Sequence, residues 1–216
     1  MSRRARNLAH LQRRAPKRDV YERVLIVCEG SKTEPNYFRE MIDELKLNTA
    51  NVEVDGDSDP SPRSVVRHAK QRYREDTDFD RVYCVIDKDE HSTYQEALAE
   101  IAAAKPSGVF YAIPSVPCFE YWLLLHFVYT TRPYLRSENR SPGGHVFYEL
   151  REHLPGYEKS SRKIYKQVML HTARGIDHAK RANGAAEKAR TDNPSTQVYR
   201  LVEYLRDLKE QKKHRA

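Results

Sequence analysis

Glu29 and the pair Asp87 and Asp89 are the residues whose types and spacing could do chemistry. Each station ends an apolar, β-prone run: Arg23-Val-Leu-Ile-Val-Cys28 before the glutamate, Val82-Tyr-Cys-Val-Ile86 before the aspartates. Residues two apart on an extended chain point the same way, so Asp87 and Asp89 are expected to share one crevice. In open parallel sheets, ligands bind beyond the carboxyl ends of the strands. If the two runs are neighbouring strands, Glu29 joins the aspartates there. Carboxylates packed together repel and raise one another's pKa. A hard divalent cation, Mg²⁺ or Mn²⁺, resolves that conflict through oxygen ligands that include a substrate phosphate. Such a site suits phosphodiester cleavage or phosphoryl transfer, because the ion polarises the phosphoryl oxygen and activates water. A lone Asp-x-Asp more often marks a polar strand end. The Glu29-Gly30 station upstream is what turns the reading toward metal.

Other residues have weaker claims. Glu120 falls in the first turn of a buried helix beyond the fourth strand, as an extra metal ligand or as compensation for the helix dipole. Glu34 is either the partner of Ser31 in a capping box or a member of the site. Lys32 and the free N–H groups of the helix start beside it could hold a phosphate. Gly30-Ser-Lys-Thr33 imitates the end of a Walker A loop, but its upstream glycine is missing, which excludes ATP binding there. Lys88, and Lys163 and Lys166 in a basic stretch, are candidate phosphate holders. His91 could shuttle a proton or touch phosphate. Tyr157 and Tyr165 lie among basic residues and could stack on bases, although packing is the commoner fate. His126 and Trp122 read as core.

A series of strands and helices must position these groups. The expected strands are 23–28, 51–55, 80–87 and 108–113. The expected helices are one after Thr33 with an apolar stripe of Tyr37, Phe38, Met41, Ile42 and Leu45, then 64–74, 93–104 and 117–128. This alternation predicts an α/β domain over about 21–130, Rossmann-like, with a mostly parallel four-stranded sheet flanked by helices. Residues 131–161, rich in Pro and Gly, read as an irregular insertion or lid. Helices over 163–180 and 195–209 then form a C-terminal extension. The stripe Val198, Leu201, Val202, Leu205 and Leu208 docks the last helix on the domain or on a partner, which leaves a homo-oligomer open.

Charge and cysteine usage narrow the class. The 216 residues carry 38 Lys and Arg against 31 Asp and Glu, and the excess is uneven. Arg3, Arg4, Arg6, Arg13, Arg14, Lys17 and Arg18 face a single acid in residues 1–20, which are expected to be disordered. A second basic stretch runs from Lys159 to Arg190. Such fields attract polyanions, nucleic acid first. The three cysteines, Cys28, Cys84 and Cys118, lack CxxC spacing and sit in apolar runs, which argues against disulfides and zinc. No apolar stretch approaches the roughly 20 residues of a bilayer span, and no secretory signal is visible, so a soluble cytoplasmic protein without membrane contact is expected.

The apolar strand, Glu-Gly, and later strand ending in Asp-x-Asp resemble the Toprim pattern of topoisomerases, primases and some nucleases. More narrowly, four segments resemble RloB-like proteins: Val27-Cys-Glu-Gly-Ser-Lys-Thr-Glu-Pro-Asn-Tyr-Phe38, Val85-Ile-Asp-Lys-Asp89, Pro117-Cys-Phe-Glu-Tyr-Trp-Leu-Leu-Leu-His-Phe127 and Asn193-Pro-Ser-Thr196. The resemblance covers roughly residues 20–208. It implies a Toprim-like fold and a metal-dependent nuclease effector of prokaryotic anti-phage defence, acting on RNA (tRNA included) or DNA and controlled by an ATPase partner. By position, Glu29 would be the Toprim glutamate, a general acid/base or metal ligand, and Asp87 and Asp89 the metal aspartates. The third aspartate of some Toprim proteins has no counterpart, and the adjacent Glu90 is expected to face away. The competing expectations are a non-catalytic nucleic-acid-binding or scaffold subunit and, last, a phosphatase of the haloacid-dehalogenase type.

Overall fold

The computed structural model describes residues 22–47 and 51–213; the expectation of a disordered segment over 1–20 lies outside them. Five strands form one sheet: β1 Val24–Glu29, β2 Val52–Ser58, β3 Arg81–Asp87, β4 Phe110–Val116 and β5 Ser195–Thr196, in the order β2-β1-β3-β4-β5. The pairs β1–β2, β1–β3 and β3–β4 are parallel, and β5 runs antiparallel to β4. The mostly parallel sheet flanked by helices agrees with the expected Rossmann-like α/β class.

Both faces of β1 and β3 are covered, which is why their sequences read as unbroken apolar runs. Alternate residues serve opposite layers. Leu25, Val27, Val82, Cys84 and Ile86 pack on helices α2 (Pro62–Glu75) and α3 (Tyr94–Ala102). Val24, Ile26, Cys28, Tyr83 and Val85 join a larger layer. It is built from α1 (Thr33–Leu45), α4 (Glu120–Leu124), α5 (Pro142–His153), α6 (Ile164–Val168), α7 (Thr172–Lys188) and α8 (Val198–Lys213). Val198, Leu201, Val202 and Leu205 are fully buried in this layer, so the stripe of the last helix docks on its own domain.

Several boundaries differ from expectation, each for a local reason. A fifth strand exists because Ser195 and Thr196 pair with Val116 and Ser115, and the Ser115 and Thr196 hydroxyls meet at 3.0 Å. The last helix therefore starts at Val198 rather than 195. β2 extends to Ser58 through a bulge opposite Val27 and Glu29, held by Ser58 Oγ donating to the Cys28 carbonyl at 2.7 Å. Gly56 makes this possible: a Cβ there would stand 2.6 Å from Pro35 Cγ and 2.9 Å from the Gly30 carbonyl. β4 runs over 110–116, later than the expected 108–113. The expected helix 117–128 shrinks to α4, because the following amides of His126 and Phe127 bond three residues back and tighten the chain into turns. In the stretch read as irregular, α5 forms over Pro142-Gly143-Gly144. Ser141 caps it by accepting from the Gly144 N–H at 3.1 Å, and Pro142 fits the first helical position. The helix expected over 163–180 is broken by a 3-10 turn, Met169–His171, between α6 and α7.

Candidate active site

The chain leaves β1 on one side to build β2, then crosses back to build β3 on the other side. The connections diverge between β1 and β3, and a crevice opens beyond their carboxyl ends. Glu29 closes β1 there and Asp87 closes β3. Five carboxylates line a cavity of about 410 Å³ at this point: Glu29, Glu34, Asp87, Asp89 and Glu120. Lys32, Lys159 and His91 supply its basic groups.

Glu29 Oε2 accepts the Asp87 backbone N–H at 3.2 Å, and its Oε1 lies 3.1 Å from His91 Nε2. Asp87 Oδ2 accepts the Phe119 N–H at 3.2 Å. Asp87 Oδ1 is buried with no hydrogen-bond partner. Asp89 reaches the cavity by a turn rather than by strand alternation, since β3 ends at Asp87 and Asp89 is left-handed at φ 28°. Its backbone N–H donates to the Pro117 carbonyl at 2.8 Å, and its Oδ1 accepts from the Gly143 N–H at 3.3 Å. Asp is among the few side chains that enter this conformation readily. Glu34 and Glu120 are buried, and Tyr157 donates its hydroxyl to Glu120 Oε1 at 3.1 Å. Lys159 Nζ stands 4.0 Å from the same oxygen.

Negative charge exceeds its compensation. Burial raises the Asp87 carboxyl far above the carboxylate range, Glu34, Glu120 and Glu29 push it further, and the Phe119 N–H opposes them. Burial, then Glu120 and Glu29, lift Glu34 to about 8. Glu29 is raised by burial and by Asp89, against the Asp87 N–H, His91 and Lys159. Lys159 in turn is raised, chiefly by Glu120. As the side chains stand, no three His, Cys, Asp or Glu groups among the described residues form a ready-made metal ligand set. The donor chemistry nevertheless fits a hard divalent cation: all oxygen, over-charged, with one buried carboxylate oxygen unpartnered.

The fold brings Glu29, Lys32, Glu34, Asp87, Asp89, His91 and Glu120 to the crevice wall. It does not bring Lys88, Lys163 or Lys166 there. Lys88 turns away from its neighbouring aspartates, and its Nζ lies 2.8 and 2.7 Å from the two carboxylate oxygens of Asp192. Lys163 is exposed, and its backbone N–H donates to Glu40. Lys166 pairs with Glu44 at 2.5 Å on the outside of α1. The capping box does not form either. Lys32 occupies the cap position with no side-chain bond, and the Glu34 carboxyl joins the acidic group. Tyr157 and Tyr165 are buried, so neither is a base platform; Tyr165 packs edge-on against Tyr37 at 5.4 Å. Glu90 faces outward to Arg136. His126 is a core histidine, 3.0 Å from the Trp122 carbonyl.

Sequence reasoning missed Lys159 as a member of the site. It was one of several basic residues after residue 158, and no spacing separates it from the rest. Thr33 Oγ1 selects it in space by donating to the Lys159 carbonyl at 2.7 Å.

The sheet and its crevice define a class, the Rossmann-like α/β proteins with an acidic cleft at the switch point of the strand order. Within that class the chain belongs to the RloB-like protein family, whose description matches residues 24–205. No curated protein and no solved structure matches it. Among the described residues no helix is long and apolar enough to cross a membrane.

Proposed function

We propose that the chain is a Mg²⁺- or Mn²⁺-dependent nuclease that hydrolyses phosphodiesters of RNA or DNA. The observation that carries this reading is the Asp87 carboxylate, buried with Oδ1 unpartnered among other carboxylates at the strand ends. Glu29, Asp87, Asp89 and Glu120 would hold the ion. When bound, it would supply Lewis-acid polarisation of a phosphoryl oxygen and a nucleophile at neutral pH.

The chain's own residues supply the rest. Glu29, which accepts the Asp87 N–H through Oε2 and turns Oε1 toward His91, is the carboxylate placed to take the proton of the attacking water. His91, 3.1 Å away and 36% exposed, can pass that proton to solvent. Lys32 and Lys159 lend positive charge to the wall where phosphate oxygens would lie. The Toprim likeness of the Glu-Gly and Asp-x-Asp stations supports the same assignment. The setting we propose, a cytoplasmic effector of anti-phage defence held in check by an ATPase partner, rests on the resemblance to RloB-like proteins and on no feature of the crevice.

The test is cleavage of labelled tRNA, single-stranded DNA and duplex DNA with Mn²⁺, with Mg²⁺ and with chelator. Divalent-dependent cleavage is expected, and Asp87→Asn should lower it by at least about 10²-fold, beyond the loss usual for an outer-shell partner. Undiminished cleavage by that variant would refute the assignment. A scaffold would instead cleave nothing while still binding nucleic acid.

A further inference from the structure

A second cavity of about 480 Å³ adjoins the crevice and shares Lys32, Asp89 and Lys159 with it. One ligand can therefore occupy both. Lys32 comes from the β1–α1 turn and Lys159 from the α5–α6 connection, so the two cations reach the shared wall from different parts of the fold. Lys32 has no ion pair among the described residues. The Lys159 side chain is exposed, with Nζ 4.0 Å from Glu120 Oε1, and the residue is anchored through its backbone. Its carbonyl accepts the Thr33 hydroxyl at 2.7 Å, and two residues earlier the Tyr157 hydroxyl is tied to Glu120.

The rest of the groove is of another character. Half-buried Phe147 lines it, one side of the ring packed on the core beside Tyr157 (5.6 Å) and Tyr148 (5.7 Å), with the Arg151 guanidinium 5.6 Å from the ring centroid. Of its acids, Glu158 lies 3.7 Å from Arg151, and Asp89 Oδ1 accepts the Gly143 N–H. Two cations at the junction and an aromatic side chain beyond it are the parts that receive one phosphate and the base attached to it.

We propose that this groove is a nucleotide subsite. It holds the nucleotide next to the scissile phosphodiester, with its phosphate between Lys32 and Lys159 and its base against Phe147. The inference rests on the nuclease reading of the crevice and narrows its substrate. A base lodged against Phe147 is out of its helical stack, so the strand entering the crevice is single-stranded or locally splayed.

The experiment is fluorescence anisotropy in chelator, which separates binding from cleavage. The probes are a labelled single-stranded DNA octamer and a matched octamer with tetrahydrofuran spacers in place of bases. The double variant Lys32→Ala/Lys159→Ala should lose about tenfold or more in affinity for both probes, and its salt slope should fall by about 0.7, the value for one phosphate contact on a single strand. Phe147→Leu should lose about tenfold for the base-bearing probe and nothing for the spacer probe. Phe147→Tyr, which keeps the ring, should bind as wild type and guards against a folding defect. Lys163→Ala/Lys166→Ala, outside the groove, should lose less than the first pair. Wild-type affinity in the Lys32/Lys159 variant, equal losses for both probes in Phe147→Leu, or no octamer binding by the wild type would overturn the subsite. Normal octamer binding with no cleavage in Mn²⁺ would instead sink the nuclease reading and leave the groove as a nucleotide-binding site with no scissile phosphodiester beside it.

Discussion

Two acidic groups sit on this sheet, and they are solved differently. On β2, Glu53 and Asp55 are matched by cations from the chain itself. Arg72 bonds both, at 2.8 Å to Glu53; Arg23 reaches Glu53 at 3.4 Å, and His68 lies 2.9 Å from Asp55. Burial would raise the Asp55 carboxyl, but the Asp57 N–H, His68 and Arg72 outweigh it and hold the group below its usual range. At the ends of β1 and β3, burial acts on Glu34 and Asp87 in the same direction and nothing outweighs it. Burial alone therefore does not distinguish the two groups. What distinguishes them is whether the fold provides the counter-charge.

The sharpest way to break this comparison is to neutralise one acid from each group. Asp87→Asn should lower divalent-dependent cleavage by at least about 10²-fold and leave the metal-free fold as stable or more so, because it removes a carboxyl that folding forces to take up a proton. Asp55→Asn should leave cleavage intact and lower stability by about 3 kcal/mol, the low end for breaking a buried pair. Denaturant melts beside the cleavage assay check both. A stability loss in Asp87→Asn matching that of Asp55→Asn would make the two groups alike.

Next in size is stabilisation by the ion. At about 100 times its dissociation constant a ligand adds about 2.7 kcal/mol, or roughly 5–10 °C for a chain of this length. Mn²⁺ should raise the melting temperature of the wild type and of Asp55→Asn by that order, and of Asp87→Asn by nothing. An equal rise in all three would place the ion elsewhere.

The pH dependence of the metal-free protein sharpens the contrast through opposite signs. Glu34 binds its proton more tightly folded than unfolded, from an ordinary 4.5 up to about 8. It therefore costs stability progressively as pH rises through that window. Asp55 is lowered from an ordinary 3.8, so its contribution is present above that value and is lost as pH falls below it. His126 adds an acid-side loss of its own: burial lowers it from 6.5 to about 4, so stability falls as pH drops through that interval. The difference between wild type and Glu34→Gln across pH 4.5 to about 8 isolates the first effect; Asp87 and Glu29, raised in the same direction, still act in the variant, which should decline less than the wild type. Parallel melting curves for the two would contradict it.

The smallest effect concerns the lysines. Lys88→Ala, which breaks a pair with Asp192 outside the crevice, should leave cleavage unchanged in the same assay.

Much of this contrast was legible in the sequence. The buried strands and the stations at Glu29 and Asp87 could be read from local pattern, because a strand covered on both faces shows as a continuous apolar run. Asp89 was found by the wrong route, since alternation stops where the strand does. Glu34 hid behind the Ser31-x-x-Glu34 signature of a cap, and only the packing of α1 against the crevice separates the two meanings. Lys159 had no local mark at all, because its place depends on a loop tied to Thr33 across the fold. The compensation of Glu53 and Asp55 was equally invisible, as it joins β1, β2 and α2 through side chains distant in the chain.

Calorimetric titration of Mn²⁺ into metal-stripped protein puts the central claim to its most direct test. The account predicts saturable uptake by the wild type and by Asp55→Asn, and none at that site in Asp87→Asn. Uptake by Asp87→Asn indistinguishable from wild type, or none by the wild type, would contradict it.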